Sequence, residues 1–465
     1  MAFTNFYIQS GASDLNAGST TAAAASLTYA GGTFVRATGV FTVASGNPVA
    51  DGVVVDDWIS IYTTAGATTT TFVGKCTART ATTITVSTTV VMGLATSVSE
   101  AAGATTAKVG GAWASEIVLA ATGLGTFTVP ASTKVNIKQA TYTIVASRTI
   151  SMAGTTAFPI WFSGYNTTPG DLDADITNSL AKPIFAFDAG LLFNSTGEYQ
   201  IWSSLSVTGN RSGAFWQVTQ STVQILRCRS ENTSSNAAAY AFDASGCFVA
   251  YCWFKTPITA TTNGVIEISL TTHFLGSVFE GGGKAGVNMA TQPCQFRQCI
   301  FLNNTGHGIL ATTGGIVAME CTFKSPTGDG IRWSGTPSAA TVAKVTGCLF
   351  VQCGGYGINN ASGANSANVH RACNDFYLNT SGDENGFGDS PAFFGQTDSS
   401  QVVTSATDMT PVVGSNARGK GFPSVFEGGG ALGSQSNPGQ NIGAVHEAAG
   451  GVAVLAGDGI GLVSG

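Results

Sequence analysis

A short phrase ending in phenylalanine recurs six times between residues 252 and 376, and no other feature of the sequence constrains the fold as strongly. The six phenylalanines are separated by 25, 22, 22, 27 and 26 residues: Phe254, Phe279, Phe301, Phe323, Phe350 and Phe376. In four copies a cysteine stands two residues earlier, at Cys252, Cys299, Cys321 and Cys348. A period in this range indicates a repeat architecture, in which each unit packs mainly on its neighbours.

A second phrase, glycine followed by valine or isoleucine, comes after each of the first five copies and begins at Gly264, Gly286, Gly308, Gly330 and Gly357. Short alternating or β-branched runs, such as 298–301 and 316–319, are separated by Gly, Asn, Thr and Ser. No unit contains an amphipathic segment of helical length. We therefore expect an all-β parallel β-helix (a solenoid), in which the Phe and Cys residues stack on their counterparts roughly 4.8 Å away.

The pattern divides the chain into four parts. Residues 1–33 are expected to form a first coil and a cap. Residues 34–112 contain alternating strands with turns every ~10–13 residues, which is typical of a small antiparallel barrel or sandwich. Residues 113–395 form the β-helix, and the Gly-rich residues 396–465 form closing coils and a C-terminal tail.

The ten cysteines predict a buried thiol ladder. Five lie at or near one repeat position: Cys228, Cys252, Cys299, Cys321 and Cys348. The paired CxxC motifs of a metal site are lacking, and disulfides are uncommon in a chain made in a reducing cytosol. Free Cys behaves as a small buried hydrophobe, so we expect these thiols to be reduced and to stack inside the coils.

Three aspartates, Asp171, Asp173 and Asp175, form the one metal-like run. Carboxylates at i, i+2 and i+4 could offer oxygens to Ca²⁺, but an EF-hand loop also needs a glycine at its sixth position and a glutamate at its twelfth. Lys182 occupies the twelfth position. A solvated corner loop is the favoured interpretation, and no metal or other cofactor is expected.

Catalysis would need paired carboxylates, because glycoside hydrolysis uses two carboxyl groups about 5–9.5 Å apart. The weak candidates are Glu280, Glu320 and Asp329. We expect Glu320 and Asp329 to share one coil and to point outward, and Asp329 to stack on His307, 22 residues earlier. The sequence shows no dense groove of acidic, basic and aromatic residues, so we predict that the protein cleaves no glycan.

Charge and termini limit the partners and the location. Net charge is −6, charged residues are 10% of the chain, and no Lys/Arg cluster occurs, which argues against nucleic acid or an anionic membrane as main partner. Residues 1–5 show neither the basic nor the apolar region of a signal peptide, and no apolar run reaches the ~20 residues of a membrane span. We expect synthesis in a host cytoplasm without general export.

Three motifs carry a family resemblance: the opening phrase Phe6-Tyr7-Ile8-Gln9-Ser10-Gly11, the Cys-x-Phe coils, and the closing phrase Gly443-Ala444-Val445-His446-Glu447. Together they resemble bacteriophage virion proteins with a right-handed parallel β-helix, namely tailspikes, tail fibres and head fibres. The resemblance covers most of the chain, and its motifs are structural. It implies a right-handed helix, a place on the virion, contact with other virion proteins and contact with a host-surface glycan.

Three functions follow from this resemblance. The leading one is a structural appendage or decoration of the phage particle. The alternatives are a tailspike that depolymerises a host glycan and a bacterial surface β-helix protein. The position after each ladder Phe should point outward, and it is apolar at Leu302, Val351 and Tyr377, unlike Lys255, Glu280 and Lys324. An exposed apolar stripe marks a partner, so we expect a homotrimer of parallel rods.

Overall fold

The structure is a computed structural model of the whole chain. It describes residues 4–12, 19–65, 68–92, 105–113, 132–173, 180–257, 262–290, 292–336, 343–363, 365–388, 396–397, 445–447 and 453–455. Its main body is a parallel β-helix, and a closed antiparallel barrel lies near the start of the chain. The all-β fold class predicted from the repeats is confirmed. Within the described residues, no helix is long and apolar enough to cross a membrane.

Three parallel sheets run along the rod, and each complete coil, from that of β8–β10 to that of β35–β37, adds one strand to each sheet. Sheet one consists of β1 (Thr4–Ile8), β8 (Thr133–Lys138), β11 (Ile160–Tyr165), β14 (Gln200–Ser203), β17 (Gln224–Leu226), β20 (Phe248–Ala250), β23 (His273–Leu275), β26 (Cys294–Arg297), β29 (Ile316–Met319), β32 (Ala343–Thr346) and β35 (Val369–Ala372). A 3-10 helix, Ser366–Asn368, precedes β35.

Sheet two consists of β9 (Thr141–Ile144), β12 (Ile184–Phe187), β15 (Ser206–Gly209), β18 (Arg229–Asn232), β21 (Trp253–Thr256), β24 (Val278–Gly281), β27 (Ile300–Leu302), β30 (Thr322–Lys324), β33 (Leu349–Val351), β36 (Asp375–Tyr377) and β38 (Gln396–Thr397). Sheet three consists of β10 (Arg148–Ile150), β13 (Phe193–Ser195), β16 (Ala214–Val218), β19 (Tyr240–Ser245), β22 (Gly264–Leu270), β25 (Ala285–Met289), β28 (His307–Ala311), β31 (Ile331–Trp333), β34 (Tyr356–Asn360) and β37 (Gly382–Asn385).

The six repeated phenylalanines form a continuous inner ladder on sheet two. Consecutive members are register partners. Their rings stack at centroid distances of 5.9, 4.8, 4.6, 4.7 and 5.2 Å along the series. All six are buried, with exposures of 0–2%. Burying one such side chain stabilises the fold by about 1.5–3 kcal/mol, so this ladder is a principal contribution to the core.

In the last three copies of the glycine phrase, a phenylalanine ring packs directly against the glycine. A Cβ added at Gly308 or Gly330 would lie 2.5 Å from the ring of Phe323 or Phe350, which is too close for any side chain. Gly357 stands in the same relation to Phe376. In these three coils the two phrases found in the sequence are two sides of one contact, in which a ring from sheet two fills the space that a missing side chain leaves at the edge of sheet three.

The corner between sheets one and two is a single left-handed residue that recurs in each coil. Positive φ values of 52–64° occur at this position: Ser204, Arg227, Tyr251, Gly276, Gln298, Glu320, Gly347 and Cys373. Non-glycine residues rarely adopt this conformation, since it crowds Cβ against the backbone. Stacking on the same turn in the neighbouring coils holds them there, because backbone N–H groups such as those of Gln298 and Glu320 donate to the next coil.

The cysteine ladder lies directly after this corner residue. All ten cysteines are free and buried. The Sγ atoms of Cys299 and Cys321 donate to the carbonyl oxygens of Arg297 and Met319, two residues earlier, at 3.4 Å. Ser277 occupies the same position and makes the same bond with its hydroxyl. These carbonyl oxygens also accept a backbone N–H from the corner residue of the preceding coil, so the thiol adds a second, weak donor at a position that has room only for a small side chain.

The barrel contains six strands in the order β2-β3-β6-β5-β4-β7. They are β2 (Leu27–Val35), β3 (Val40–Thr42), β4 (Trp58–Ala65), β5 (Thr68–Arg79), β6 (Thr83–Met92) and β7 (Thr105–Val109). The first strand begins at Leu27, before the boundary expected at residue 34. The Trp58 side chain belongs to the core of the rod rather than to that of the barrel. Its ring centroid is 5.0 Å from that of Phe6 on β1, and the Phe6 ring stacks on Trp113 with a centroid distance of 5.3 Å. The barrel therefore lies against the first coil.

Two features differ from the expected rod. Val351 and its neighbour Leu349 face outward but are 1% and 0% exposed, so the exposed apolar stripe predicted through Val351 is wrong: these side chains are covered within the chain itself. In the coil of β35–β37 the interior changes from apolar to charged. Arg371 continues the inner row after Val345, Glu384 continues the row after Ile358, and the two form an ion pair.

The closing phrase contributes β39 (Val445–Glu447), which pairs with β40 (Ala453–Leu455) in a short antiparallel ribbon. Of the predicted closing region, 396–465, the structure describes only this ribbon and β38 of sheet two.

Candidate functional site

A row of mostly polar side chains follows the outer face of sheet three, one per coil. We call it the polar row: Asn194, Gln217, Asp243, Glu267, Asn288, Leu310, Arg332, Asn359 and Asn385. The preceding residue in each of these strands points inward and, through β34, is apolar, as Phe242 and Ile266 are. Alternation along a strand places the two sets on opposite faces.

Two acids of the polar row, Asp243 and Glu267, are register partners on adjacent strands. Their backbones are therefore roughly 4.8 Å apart. Asp243 accepts hydrogen bonds from Gln217 Nε2 at 3.4 Å and from Ser269 Oγ at 3.3 Å. Glu267 accepts from the backbone N–H of Gly264 at 2.8 Å and from Asn288 Nδ2 at 2.7 Å. Each carboxylate is thus oriented by neighbours within the same face.

Both acids hold protons more tightly than free carboxyls. Burial raises the pKa of Asp243 and of Glu267, although hydrogen bonds act in the opposite direction, and the negative charge of Asp243 raises the pKa of Glu267 further. Burial, followed by the charges of both acids, raises the pKa of Tyr240 to about 12. A stacked carboxyl pair with raised pKa beside a protonated phenol is an arrangement that can share or donate a proton.

This pair was missed from the sequence because the glycine phrases give the wrong register for β22 against β25. The regular spacing of the glycines aligns Gly264 with Gly286. In the structure Gly264 pairs with Ala285 instead, and Ile266 pairs with Val287. A shift of one residue exchanges the two faces of a strand. Aligning Phe242, Ile266 and Val287 as inward residues would have placed Asp243 and Glu267 together on the outside.

A second cluster forms where the polar row meets the corner between sheets two and three. As their spacing predicts, His307 and Asp329 are neighbours, with His307 Nδ1 3.4 Å from Asp329 Oδ2. Asp329 also accepts from the backbone N–H of Tyr356 at 2.7 Å, from Asn359 Nδ2 at 2.9 Å and from Arg332 Nη1 at 3.3 Å. One buried carboxylate therefore positions two members of the polar row, Arg332 and Asn359, and lies beside the imidazole of His307.

Two glycines make room for this cluster. A Cβ at Gly355 would collide with Asp329 Oδ1, and a Cβ at Gly328 would come 2.7 Å from His307 Nδ1. The backbone N–H of Asp329 donates to His307 Nδ1 at 2.9 Å, so the neutral ring carries its proton on Nε2. Burial lowers the pKa of His307, and the Arg332 charge lowers it further, against the opposing effect of Asp329.

The three carboxylates proposed from the sequence do not form one site. Glu320 and Asp329 lie beyond opposite ends of β30, at different corners of the coil. Both side chains are buried, with exposures of 7% and 3%, so neither carboxylate is open to solvent. Glu320 is one of the left-handed residues at the corner between sheets one and two. Its carboxylate accepts a hydrogen bond from Nε2 of Gln298, the corner residue of the preceding coil, at 3.0 Å. Asp329 is buried by the donors that surround it.

Glu280 lies on another face of the rod, the outer face of sheet two. It accepts a hydrogen bond from Trp253 Nε1 at 3.0 Å and pairs with Lys255 Nζ at 3.2 Å. Arg229 lies over the Trp253 ring at 4.8 Å and pairs with Glu231. Glu280 therefore belongs to a patch of alternating charges around one tryptophan and is not part of a carboxyl pair.

The two described aspartates of the run, Asp171 and Asp173, have different partners. Asp171 accepts the backbone N–H groups of Asn166, Thr167 and Thr168; burial opposes ionisation, but these hydrogen bonds prevail and its pKa is lowered. Asp173 faces Arg227 at 3.6 Å and Lys134 at 3.9 Å. Asp175 lies outside the described residues. Among the described residues, no three His, Cys, Asp or Glu side chains are grouped as metal ligands.

Comparison with known proteins concerns the fold. A family model described as a right handed beta helix region matches residues 285–379. Similar solved structures include pectate lyase Pel9A, at 12% identity and a TM-score of 0.45, over 68% of this chain and 88% of that one. An alginate lyase from Paenibacillus sp. str. FPU-7 is 10% identical, with a TM-score of 0.35, over 58% and 92%. No curated protein matches the chain.

The tailspike protein gp49 from Pseudomonas phage LKA1 is also similar, at 11% identity and a TM-score of 0.22, over 85% of this chain and 66% of that one. Similarities this distant assign neither activity nor ligand. The matched region spans the coils that carry the most regular Cys-x-Phe repeats, and the expected handedness agrees with it. The main body of the chain is a right-handed parallel β-helix.

Proposed function

We propose that the protein is a rigid appendage of a bacteriophage particle that holds a host-surface polysaccharide along its polar row without cleaving it. The polar row carries this proposal: it follows sheet three along the rod from β13 to β37. It offers amide, carboxylate or guanidinium groups at each coil except those of Leu310 and the buried Asn359. A linear polymer with repeating hydroxyl groups is the ligand class that matches such a one-dimensional array.

The virion role is supported by the sequence resemblance and by the barrel. The loop between β3 and β4 exposes Val49, Val54 and Val55 by 48–50% of their surface. A shallow cavity of about 310 Å³ lies beside them, lined by residues that include Thr20, Ser26 and Asp51. We propose that this end docks onto other virion proteins and that the rods associate as a homotrimer.

The experiment for this proposal separates location from binding. Gold-labelled antibody on intact particles tests whether the protein projects from the virion. Immobilised protein is then exposed to envelope polysaccharide from the host, with Asn288→Ala as the polar-row variant and Lys344→Gln, on exposed sheet one, as the control. Each lost hydrogen bond should weaken binding by about five- to tenfold. Unlabelled particles, or equal binding by both variants, would count against the proposal.

A second candidate, a glycan depolymerase, is favoured by one observation: Asp243 and Glu267 are stacked, and burial raises the pKa of both. One acid could protonate a leaving oxygen while the other acts as base or nucleophile. Release of reducing ends from host polysaccharide, abolished by Glu267→Gln or Asp243→Asn in folded protein, would establish this function. Loss on Glu320→Gln or Asp329→Asn instead would return the site to the carboxylates proposed from the sequence.

A further inference from the structure

The cluster around Asp329 has an unusual division of roles. Asp329 is buried, with 4% of its side chain exposed, whereas Arg332 is 37% exposed and His307 is 18% exposed. The carboxylate accepts hydrogen bonds from Arg332, Tyr356 and Asn359, and His307 Nδ1 lies 3.4 Å from it. Asp329 thus remains inside the rod, whereas the neighbouring side chains of Arg332 and His307 are partly exposed at the surface.

These surface groups are donors. Arg332 gives one N–H to Asp329 and has a planar fork of five, which suits bidentate binding of a carboxylate. His307 accepts from the backbone with Nδ1, so its Nε2 carries a proton when the ring is neutral. Arg332 is near enough to His307 to lower the pKa of the ring. An anion placed between them would receive a hydrogen bond from each.

We propose that His307 and Arg332 form a subsite for the carboxylate of an acidic sugar, held in position by Asp329. This inference rests on the proposed function and deepens it, because it identifies the polysaccharide class as uronate-containing. Arg332 belongs to the polar row, three strands beyond Glu267, or roughly 14 Å along the rod at the spacing of a parallel sheet. The subsite therefore lies on the path of a polymer that follows the row.

The geometry of the subsite is fixed before any ligand arrives. Gly328 and Gly355 allow the imidazole and the carboxylate to approach the backbone of neighbouring coils. The backbone N–H of His307 donates to the carbonyl oxygen of Lys284, which fixes the start of β28. Preorganisation of this kind reduces the entropy lost on binding, so a small anion should be held without rearrangement.

The test follows the imidazole signals of protein carrying ¹³C-labelled histidine, with His307→Gln to assign the resonance. Glucuronate is titrated against glucose, which lacks the carboxylate. We expect glucuronate to raise the pKa of His307 by about half a unit or more, because a nearby negative charge favours the imidazolium. His273 and His370, on the outer face of sheet one, should not respond. Arg332→Gln should weaken the response about tenfold, and Arg332→Lys less.

Lys344→Gln removes one positive charge on exposed sheet one and serves as the matched control. No change at His307 up to about 100 mM glucuronate, an equal response to glucose, or an unchanged response in folded Arg332→Gln would overturn the subsite. The polysaccharide experiment remains separate: binding of a neutral host polymer would leave the proposed function standing while removing the uronate assignment. Binding of glucuronate but not of the host polymer would support the subsite and count against the proposed function.

Discussion

The inner phenylalanine ladder and the outer polar row both place one side chain per coil along the rod, yet they are built differently. The ladder repeats one residue, and its rings stack 4.6–5.9 Å apart with almost no exposure. The polar row changes residue from coil to coil, and hydrogen bonds such as Asn288 to Glu267 and Asn385 to Asn359 link its members. Packing therefore requires the same residue at each inward-facing ladder position, whereas the outward-facing residues of the polar row can differ from coil to coil and can bind a ligand.

The largest effect is expected from breaking the ladder. Phe323→Ala should destabilise the protein by about 3–5 kcal/mol, because it removes a fully buried ring that stacks on Phe301 and Phe350 and fills the space beside Gly308. Denaturant unfolding measures this difference. A loss below ~1 kcal/mol would mean that the coils do not depend on the ladder.

A smaller loss of stability is expected from Asp329→Ala, at the corner between sheets two and three. The substitution leaves the backbone N–H of Tyr356 and the amide of Asn359 without their acceptor, which should cost about 1–3 kcal/mol. Asn385→Ala, at an exposed position of the same row, is the control; it loses one hydrogen bond, to Asn359, and should change stability by no more than ~1 kcal/mol. Equal losses from both would show that the buried cluster has no special structural role.

The next effect concerns the buried cysteines that follow the corner residue between sheets one and two. Cys321→Ser keeps a donor for the carbonyl oxygen of Met319, and Ser277 already occupies the equivalent position. We expect a loss below ~1.5 kcal/mol, whereas Cys321→Leu should cost about 1–3 kcal/mol through overpacking. Thermal unfolding of the two variants under reducing conditions separates these values. A larger loss for Ser than for Leu would refute the role given to the thiol.

The smallest effect concerns pH and the acid pair. Burial raises the pKa of Glu267, so the folded state binds its proton more tightly than the unfolded chain. Its contribution to stability is then greatest below the unfolded pKa and decreases as pH rises through the folded pKa. Glu267→Gln should therefore unfold at a higher temperature than the unsubstituted protein at neutral pH, with the difference vanishing near pH ~4. An advantage that persists at acid pH would contradict this account.

Sequence reasoning recovered the inside better than the outside. The spacing of Phe254 to Phe376 reflects direct ring contacts, so its regularity could be read without coordinates. The position of Glu320 could not be read in this way, because a left-handed corner residue breaks the alternation that otherwise assigns a face. Burial of Val351 depends on contacts distant in sequence. The Asp243–Glu267 pair was hidden by a one-residue shift at Gly264.

The central claim, that the polar row is the binding surface, is tested most directly by electron cryo-microscopy of the protein with envelope polysaccharide from its host. Density for the polymer should follow the outer face of sheet three, from the level of Asp243 to that of Arg332, parallel to the rod axis. Density confined to sheet one, to the Trp253 patch on sheet two, or to the barrel would contradict the account.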